Sequence, residues 1–233
     1  MPLNDLKSDL RKASNPEKAK LLQRFFKTGK GEYGEGDIFI GVVVPETRKV
    51  AVKHKYLGLK DIESLLKSKI HEERLCALLL LVHNYQKHKE KRTEIFNFYL
   101  KNTKYINNWD LVDLSAHQIV GHFLFDKNKS IIYKLASSSN LWEKRISIIS
   151  TFYFIKMGQF SDSLRLAEIL LNDKHDLIHK AVGWMLREIG KKDLETLECF
   201  LKFHYKSMPR TMLRYAIEKF PEKQRRAYLL GKV

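Results

Sequence analysis

Helix-length stretches of similar character begin near Lys69, Asn107, Asn140, Asp176 and Pro209, at offsets of 38, 33, 36 and 33 residues. The first four are each followed by a shorter helical piece, at 92–100, 130–136, 161–170 and 194–203. One such pair cannot bury its apolar face alone, so pairs recurring at this spacing stack on their neighbours. The spacing therefore predicts an all-α chain, an α-solenoid or superhelix of antiparallel helix pairs. An ordinary helical bundle with accidental spacing is the alternative. Glycine and proline are scarce, at 11 and 5 copies, and no run alternates long enough for a half-buried strand.

Ahead of the repeats, the pattern predicts helices over 3–13 and 16–27, with Asn15 as N-cap and Pro16 in the first turn. Residues 28–44 form the one long irregular piece and hold five glycines, Gly29, Gly31, Gly34, Gly36 and Gly41. Gly29-Lys30-Gly31-Glu32-Tyr33-Gly34 matches a dinucleotide fingerprint in form, but no strand precedes it and no helix starts at its end. Glu32, Glu35 and Asp37 would repel a pyrophosphate, so the segment reads as a loop. The whole of 1–233 is expected to form a single domain, with N-terminal helices and a glycine-rich loop over 1–44 and helical repeats over 45–233.

Charge gives the first functional indication. Forty-three Lys and Arg against 27 Asp and Glu leave a formal net charge of +16, spread from Lys7 to Lys232. A folded surface must carry it, and a curved stack with a basic concave face would suit the girth of a duplex. Such a field draws in polyanions, with nucleic acid ahead of an anionic membrane. The longest apolar run, 75–82, is too short to span a bilayer. Residues 1–7 contain no apolar signal core, so a cytoplasmic protein is expected. The two cysteines, Cys76 and Cys199, are isolated and are expected to be buried thiols of a reducing compartment.

Trp109 and Asp113 lie four residues apart, which puts them on one face of a helix. Leu111, Val112 and Leu114 give the carboxylate an apolar setting. The pair could act on a ligand, or Asp113 could cap a neighbouring helix with Trp109 in the core, since aromatics at helical spacing are more often packing. Trp184 follows Gly183, which suggests close helix packing. Trp142, at the repeat position equivalent to Trp109, reads as structural. Arg145 and Arg214 stand five residues past Asn140 and Pro209 and fit phosphate contacts repeated along one face, or simple solvated charges. His117 and His122 are five apart, as are His83 and His88, a spacing unsuited to one metal ion. No metal and no cofactor are expected.

Several motifs resemble a known family. They are Asn15-Pro16-Glu17-Lys18-Ala19, then Ile38-Phe39-Ile40-Gly41-Val42 leading to Pro45-Glu46-Thr47-Arg48. Further on come Trp109-Asp110-x-x-Asp113, Leu141-Trp142-x-x-Arg145, and Lys180-Ala181-Val182-Gly183-Trp184-Met185-Leu186-Arg187-Glu188. In this order they resemble the AlkD-type alkylpurine DNA glycosylases, built from HEAT-like repeats, over nearly the whole chain. The resemblance implies that Trp109, Asp113 and Trp184 line the catalytic cleft and that Arg145 assists beside the DNA backbone. It also places Arg48, Arg187 and Phe25 among the DNA-contacting positions, and Arg214 joins them on its repeat position alone. Phe25 stands where active relatives carry a tyrosine, so any role of that hydroxyl is in question. The implied partner is double-stranded DNA containing alkylated purines. A monomer is expected.

The chemistry suits these side chains. A purine alkylated at N3 or N7 is cationic and leaves as a neutral base, so positive charge gathers on the deoxyribose in the transition state. A preorganised carboxylate and indole faces stabilise such charge. A non-catalytic nucleic-acid-binding helical-repeat protein and a helical protein-interaction scaffold are the competing readings.

Overall fold

The apolar run 75–82 becomes the middle of a helix buried on nearly every side, α5 (His71–Lys87). A helix apolar all round belongs at the centre of a core. The computed structural model describes residues 2–233, and the chain divides into two compact units, 1–115 and 116–233. In the first unit α1 (Pro2–Lys12), α3 (Val44–Lys53), α4 (Leu59–Leu66), α6 (Arg92–Lys101) and α7 (Trp109–Asp113) all pack on α5. Leu75, Leu78, Leu80 and Leu81 are almost wholly buried there. Each contributes roughly 1.5–3 kcal/mol of apolar burial.

The second helix, α2 (Pro16–Phe25), starts as expected: Asn15 Oδ1 accepts from Lys18 N at 3.0 Å. It stops two residues short of the expected end because Lys27 turns to φ 51°. The irregular loop that follows is held by its own carboxylates. Gly29 N donates to Glu32 and Gly31 N to Glu35, each at 2.8 Å, so the amides a phosphate would need are already engaged. Further on, Glu72 accepts from the N–H groups of Ile40, Gly41 and Val42 at 3.1, 2.8 and 3.2 Å. Gly41 must be glycine: its φ is +83°, and an added Cβ would lie 2.0 Å from the Asn15 carbonyl oxygen.

The second unit consists of helix pairs. A π-helical turn at His117–Gly121 leads into the short α8 (His122–Leu124), and α10 (Leu141–Lys156), α12 (Asp176–Lys192) and α14 (Arg210–Ala216) follow as one row of neighbours. Packed on this row are α9 (Ser130–Ala136), α11 (Ser161–Ile169) and α13 (Leu194–His204), and α15 (Glu222–Leu229) closes the chain. Small residues let the row close up. A Cβ on Gly121 would meet the Ser150 carbonyl oxygen at 2.1 Å, and one on Gly183 would meet Met212 O and Tyr215 Cβ at 2.5 Å. The protein is all-α: among the described residues the β-type pairing is a single isolated bridge, Ile38 to Ile70.

Two expectations need correcting. Cys76 is buried, and burial pushes its thiol up to about 12, but Cys199 is exposed on α13. The apolar residues around Cys199, Leu197, Phe200 and Leu201, take the buried face of that helix and leave residue 199 outside. The stretch near Asn107 is not one regular helix, because α7 ends at Asp113. No helix among the described residues is long and apolar enough to cross a membrane.

Candidate active site

Asn108 opens α7 as its N-cap, its Oδ1 accepting from Trp109 N at 2.8 Å. Leu111 and Val112 point into the core and are fully buried. The opposite face of this short helix carries Trp109 and Asp113, both half-buried. They line a cavity of about 440 Å³ whose other walls are mainly aromatic or aliphatic, including Leu22, Phe25, Phe26, Val42 and Leu114, with His71, Glu72 and Asp110 also in the lining. Trp109 and Asp113 thus lie on one face, as their spacing requires, and the face opens onto a hollow. Beneath Asp113, Tyr99 shares a hydrogen bond with Ser115 Oγ at 2.9 Å. Burial chiefly, with the Asp113 charge adding to it, holds the Tyr99 phenol well above the usual tyrosine range despite that hydrogen bond.

An aromatic column sets the orientation of the indole. Trp109 stacks on Phe26 at 5.0 Å, Phe26 on Phe39 at 4.8 Å, and Phe39 on the His71 ring at 4.4 Å. Phe25 meets Trp109 edge-on at 5.8 Å and is 63% exposed, so a large apolar ring stands at the rim. Aromatic contacts of this kind add roughly 0.5–1.5 kcal/mol each beyond area burial.

Behind the column lies a buried charge network. His71 Nε2 lies 2.8 Å from Asp110 Oδ2 and its Nδ1 lies 3.1 Å from Asp37 Oδ2. Asp37 also takes Arg74 at 2.7 Å and the Asn108 amide at 3.3 Å. Burial opposes the charge on His71 most strongly, yet the pull of Asp110 and Asp37 outweighs it and holds the imidazole above its ordinary value. Burial likewise opposes the Asp37 charge, and His71, Arg74 and Asn108 together keep that carboxyl low.

A family model described as DNA alkylation repair enzyme matches residues 6–220. The chain belongs to that family. Its role is DNA repair, and DNA is its substrate. The chain is similar in structure to a "Predicted DNA alkylation repair enzyme from Enterococcus faecalis", at 17% identity and a TM-score of 0.70, covering 90% of this chain and 97% of that one. At that identity the likeness speaks for the fold. No curated protein matches the sequence.

In this alkylation repair chain the remaining expected residues occupy other places. Arg48 is exposed on α3, one turn beyond the cavity-lining Val44. In the second unit Trp184 is half-buried, lies 5.5 Å from the Phe152 ring and donates from Nε1 to Glu188 at 3.1 Å. Phe152 also meets His117 edge-on at 5.2 Å and carries Lys156 over its face at 4.2 Å. Burial first, then Lys156, pushes His117 down to about 4, so it is neutral at pH 7. Arg145 is only 5% exposed and donates to the Leu177 carbonyl at 2.6 Å, which ties α10 to α12. Arg187 is held by Glu188 and Glu218. Arg214 is exposed and shares a polar hollow with Lys180, Thr211 and Arg225. Trp142 is buried, in keeping with a structural role.

Among the described residues no three His, Cys, Asp or Glu side chains gather as they would around a metal ion. Sequence reasoning assigned no role to His71, Phe26 or Phe39, nor to Asp37 and Asp110, which face the two nitrogens of the His71 ring. A polar pair flanking Trp109, Asn108 and Asp110, was the available signal, and its partners lie 71 and 39 residues away along the chain.

Proposed function

We propose that this chain is a monofunctional DNA glycosylase that hydrolyses the N-glycosidic bond of cationic N3- or N7-alkylated purines in duplex DNA, leaving an abasic site. The observation that carries the reading is the Asp113 carboxylate on the wall of a cavity lined mainly by aromatic and aliphatic side chains, one helical turn from the Trp109 indole; the other carboxylates of the lining, Glu72 and Asp110, are engaged by backbone amides and by His71. An anion in low-dielectric surroundings stabilises a developing cation far better than one in water. As the bond breaks, its electron pair passes to the alkylated base and cancels that base's positive charge. Water bonds to C1′ of the sugar and gives up a proton. No general acid is needed, and Asp113 stabilises the oxocarbenium-like sugar and orients the water. Trp109 offers its indole face to this cationic chemistry, and Trp184 on α12 is proposed as a catalytic indole as well. The exposed Arg48 and Arg214 contact phosphates, Phe25 meets the nucleotide at the rim, and Arg145 and Arg187 hold the helices that carry the contacts. The protein works as a monomer without metal or cofactor.

The test is release of free base from duplex DNA methylated at purine N3 and N7, followed by chromatography. Free 3-methyladenine or 7-methylguanine, together with heat-labile abasic sites, is the expected result. Salt-sensitive duplex binding without base release would replace the proposal with a non-catalytic nucleic-acid-binding helical protein.

A further inference from the structure

His71 has no part in the chemistry proposed above, yet it is the most heavily engaged side chain near the cavity. Both ring nitrogens face carboxylates, Nε2 toward Asp110 and Nδ1 toward Asp37. A carboxylate can only accept, so both contacts are hydrogen bonds only when the ring carries two protons. The face of the same ring lies against Phe39 at 4.4 Å and Phe26 at 5.1 Å. The two carboxylates belong to different parts of the site. Asp37 opens the segment that Glu72 fastens to α5, while Asp110 is the second residue of α7 and also accepts from Leu111 N at 2.9 Å. Asn108, bonded to Asp37, closes the bracket on the other side of Trp109.

We infer that His71 is a positioning residue: as a buried imidazolium bridging Asp37 and Asp110 and stacked on Phe39, it fixes the first turn of α7 so that Trp109 and Asp113 face the cavity. The effect on base release rests on the glycosylase reading; the bridge itself does not. The charged groups around His71 are Asp37 from the loop and Asp110 from α7, each facing a ring nitrogen, and Arg74 from its own helix, whose guanidinium pairs with Asp37 and lies 3.4 Å from Nδ1. Glu72, next along α5, turns its carboxylate to the amides of Ile40, Gly41 and Val42 instead. Two carboxylates against His71 and Arg74 leave the cluster neutral.

Loss of one proton from His71 sets a ring lone pair against a carboxylate, and one half of the bridge opens. The imidazole is held above its ordinary value. Its stabilising contribution is therefore fully present below the unfolded histidine pKa and is lost as pH rises through the raised folded value. Base release falls on the alkaline side in the same window. A misplacement of about 1 Å at reacting groups costs on the order of a hundredfold in rate.

Two measurements test the bridge on the full-length protein. Nitrogen-15 NMR of the His71 ring reports its protonation, with imidazolium shifts for both nitrogens expected at pH 7. Single-turnover release of 7-methylguanine from a methylated duplex is then followed against pH for wild type and Asp110→Asn. In the variant an amide N–H can face the unprotonated Nε2, so the contact survives deprotonation and the alkaline decline flattens. Duplex affinity measured alongside keeps the same pH dependence in both. A neutral His71 spectrum at pH 7 overturns the inference, as do superimposable alkaline limbs in the two proteins. Should Asp110→Asn not fold, the wild-type spectrum alone decides. A wild type that releases no base at any pH sinks the glycosylase reading instead, and the bridge then stands or falls on that spectrum.

Discussion

Replacing Asp113 by asparagine removes one charge and almost no volume from the cavity wall. Leu111 and Val112 fill the buried face of α7 and are unaffected, so the variant folds. The magnitude follows from the setting. A full pair of opposite charges about 4 Å apart is worth about 4 kcal/mol at an effective dielectric of 20. The sugar carries part of a unit charge at the transition state, and the amide dipole returns a little of the loss, which leaves roughly 2–4 kcal/mol. That is about thirtyfold to a thousandfold in rate, overlapping the range found when a preorganised electrostatic contact is removed. The assay is single-turnover release of 3-methyladenine or 7-methylguanine at saturating protein, with thermal melting and duplex affinity measured on the same preparation. Affinity is expected to hold or to tighten, because a negative charge leaves a surface that meets phosphates. An Asn variant that melts normally and releases base at the wild-type rate would refute the assignment of Asp113.

Trp109→Ala and Trp184→Ala should slow base release more than they weaken binding to undamaged duplex; Trp109→Ala should also lower the melting temperature, because it abandons the Phe26 stack. Normal release from a well-folded variant removes that tryptophan from the site. Given the net charge of +16, the affinity for undamaged duplex should fall steeply with salt, with a log–log slope set by the phosphates neutralised; a flat dependence argues for a protein-interaction scaffold. Charge removal at the exposed Arg214 should reduce that slope, whereas Arg145→Met should show itself first in thermal melting, since its guanidinium bonds the Leu177 carbonyl. Gly183→Ala should destabilise the second unit by about 1–3 kcal/mol, because backbone and Cβ atoms of α14 stand 2.5 Å from the added carbon; an unchanged denaturation midpoint would show that α14 moves aside freely.

Local rules were enough for much of this molecule. The helix pairs of the second unit, the Asn15 cap, the Gly183 contact and the shared face of Trp109 and Asp113 are set by neighbours within a few residues or by a repeating apolar pattern. Side-chain burial across the chain was not legible in this way. Arg145 reads as a surface cation in sequence and is buried on a carbonyl, and Cys199 reads as a core thiol and is exposed. Only the tertiary structure decided that Asp113 faces a hollow instead of a neighbouring helix, because the walls come from α2, the 39–45 segment and α5. It also decided the fate of His71, an ordinary first-turn residue in sequence. Its charge exists because folding brings Asp37 and Asp110, 34 residues before it and 39 after, to opposite edges of one ring. Periodicity records which face of a helix is apolar. Which charges meet across a core depends on loop closure over such distances, and no local pattern encodes it.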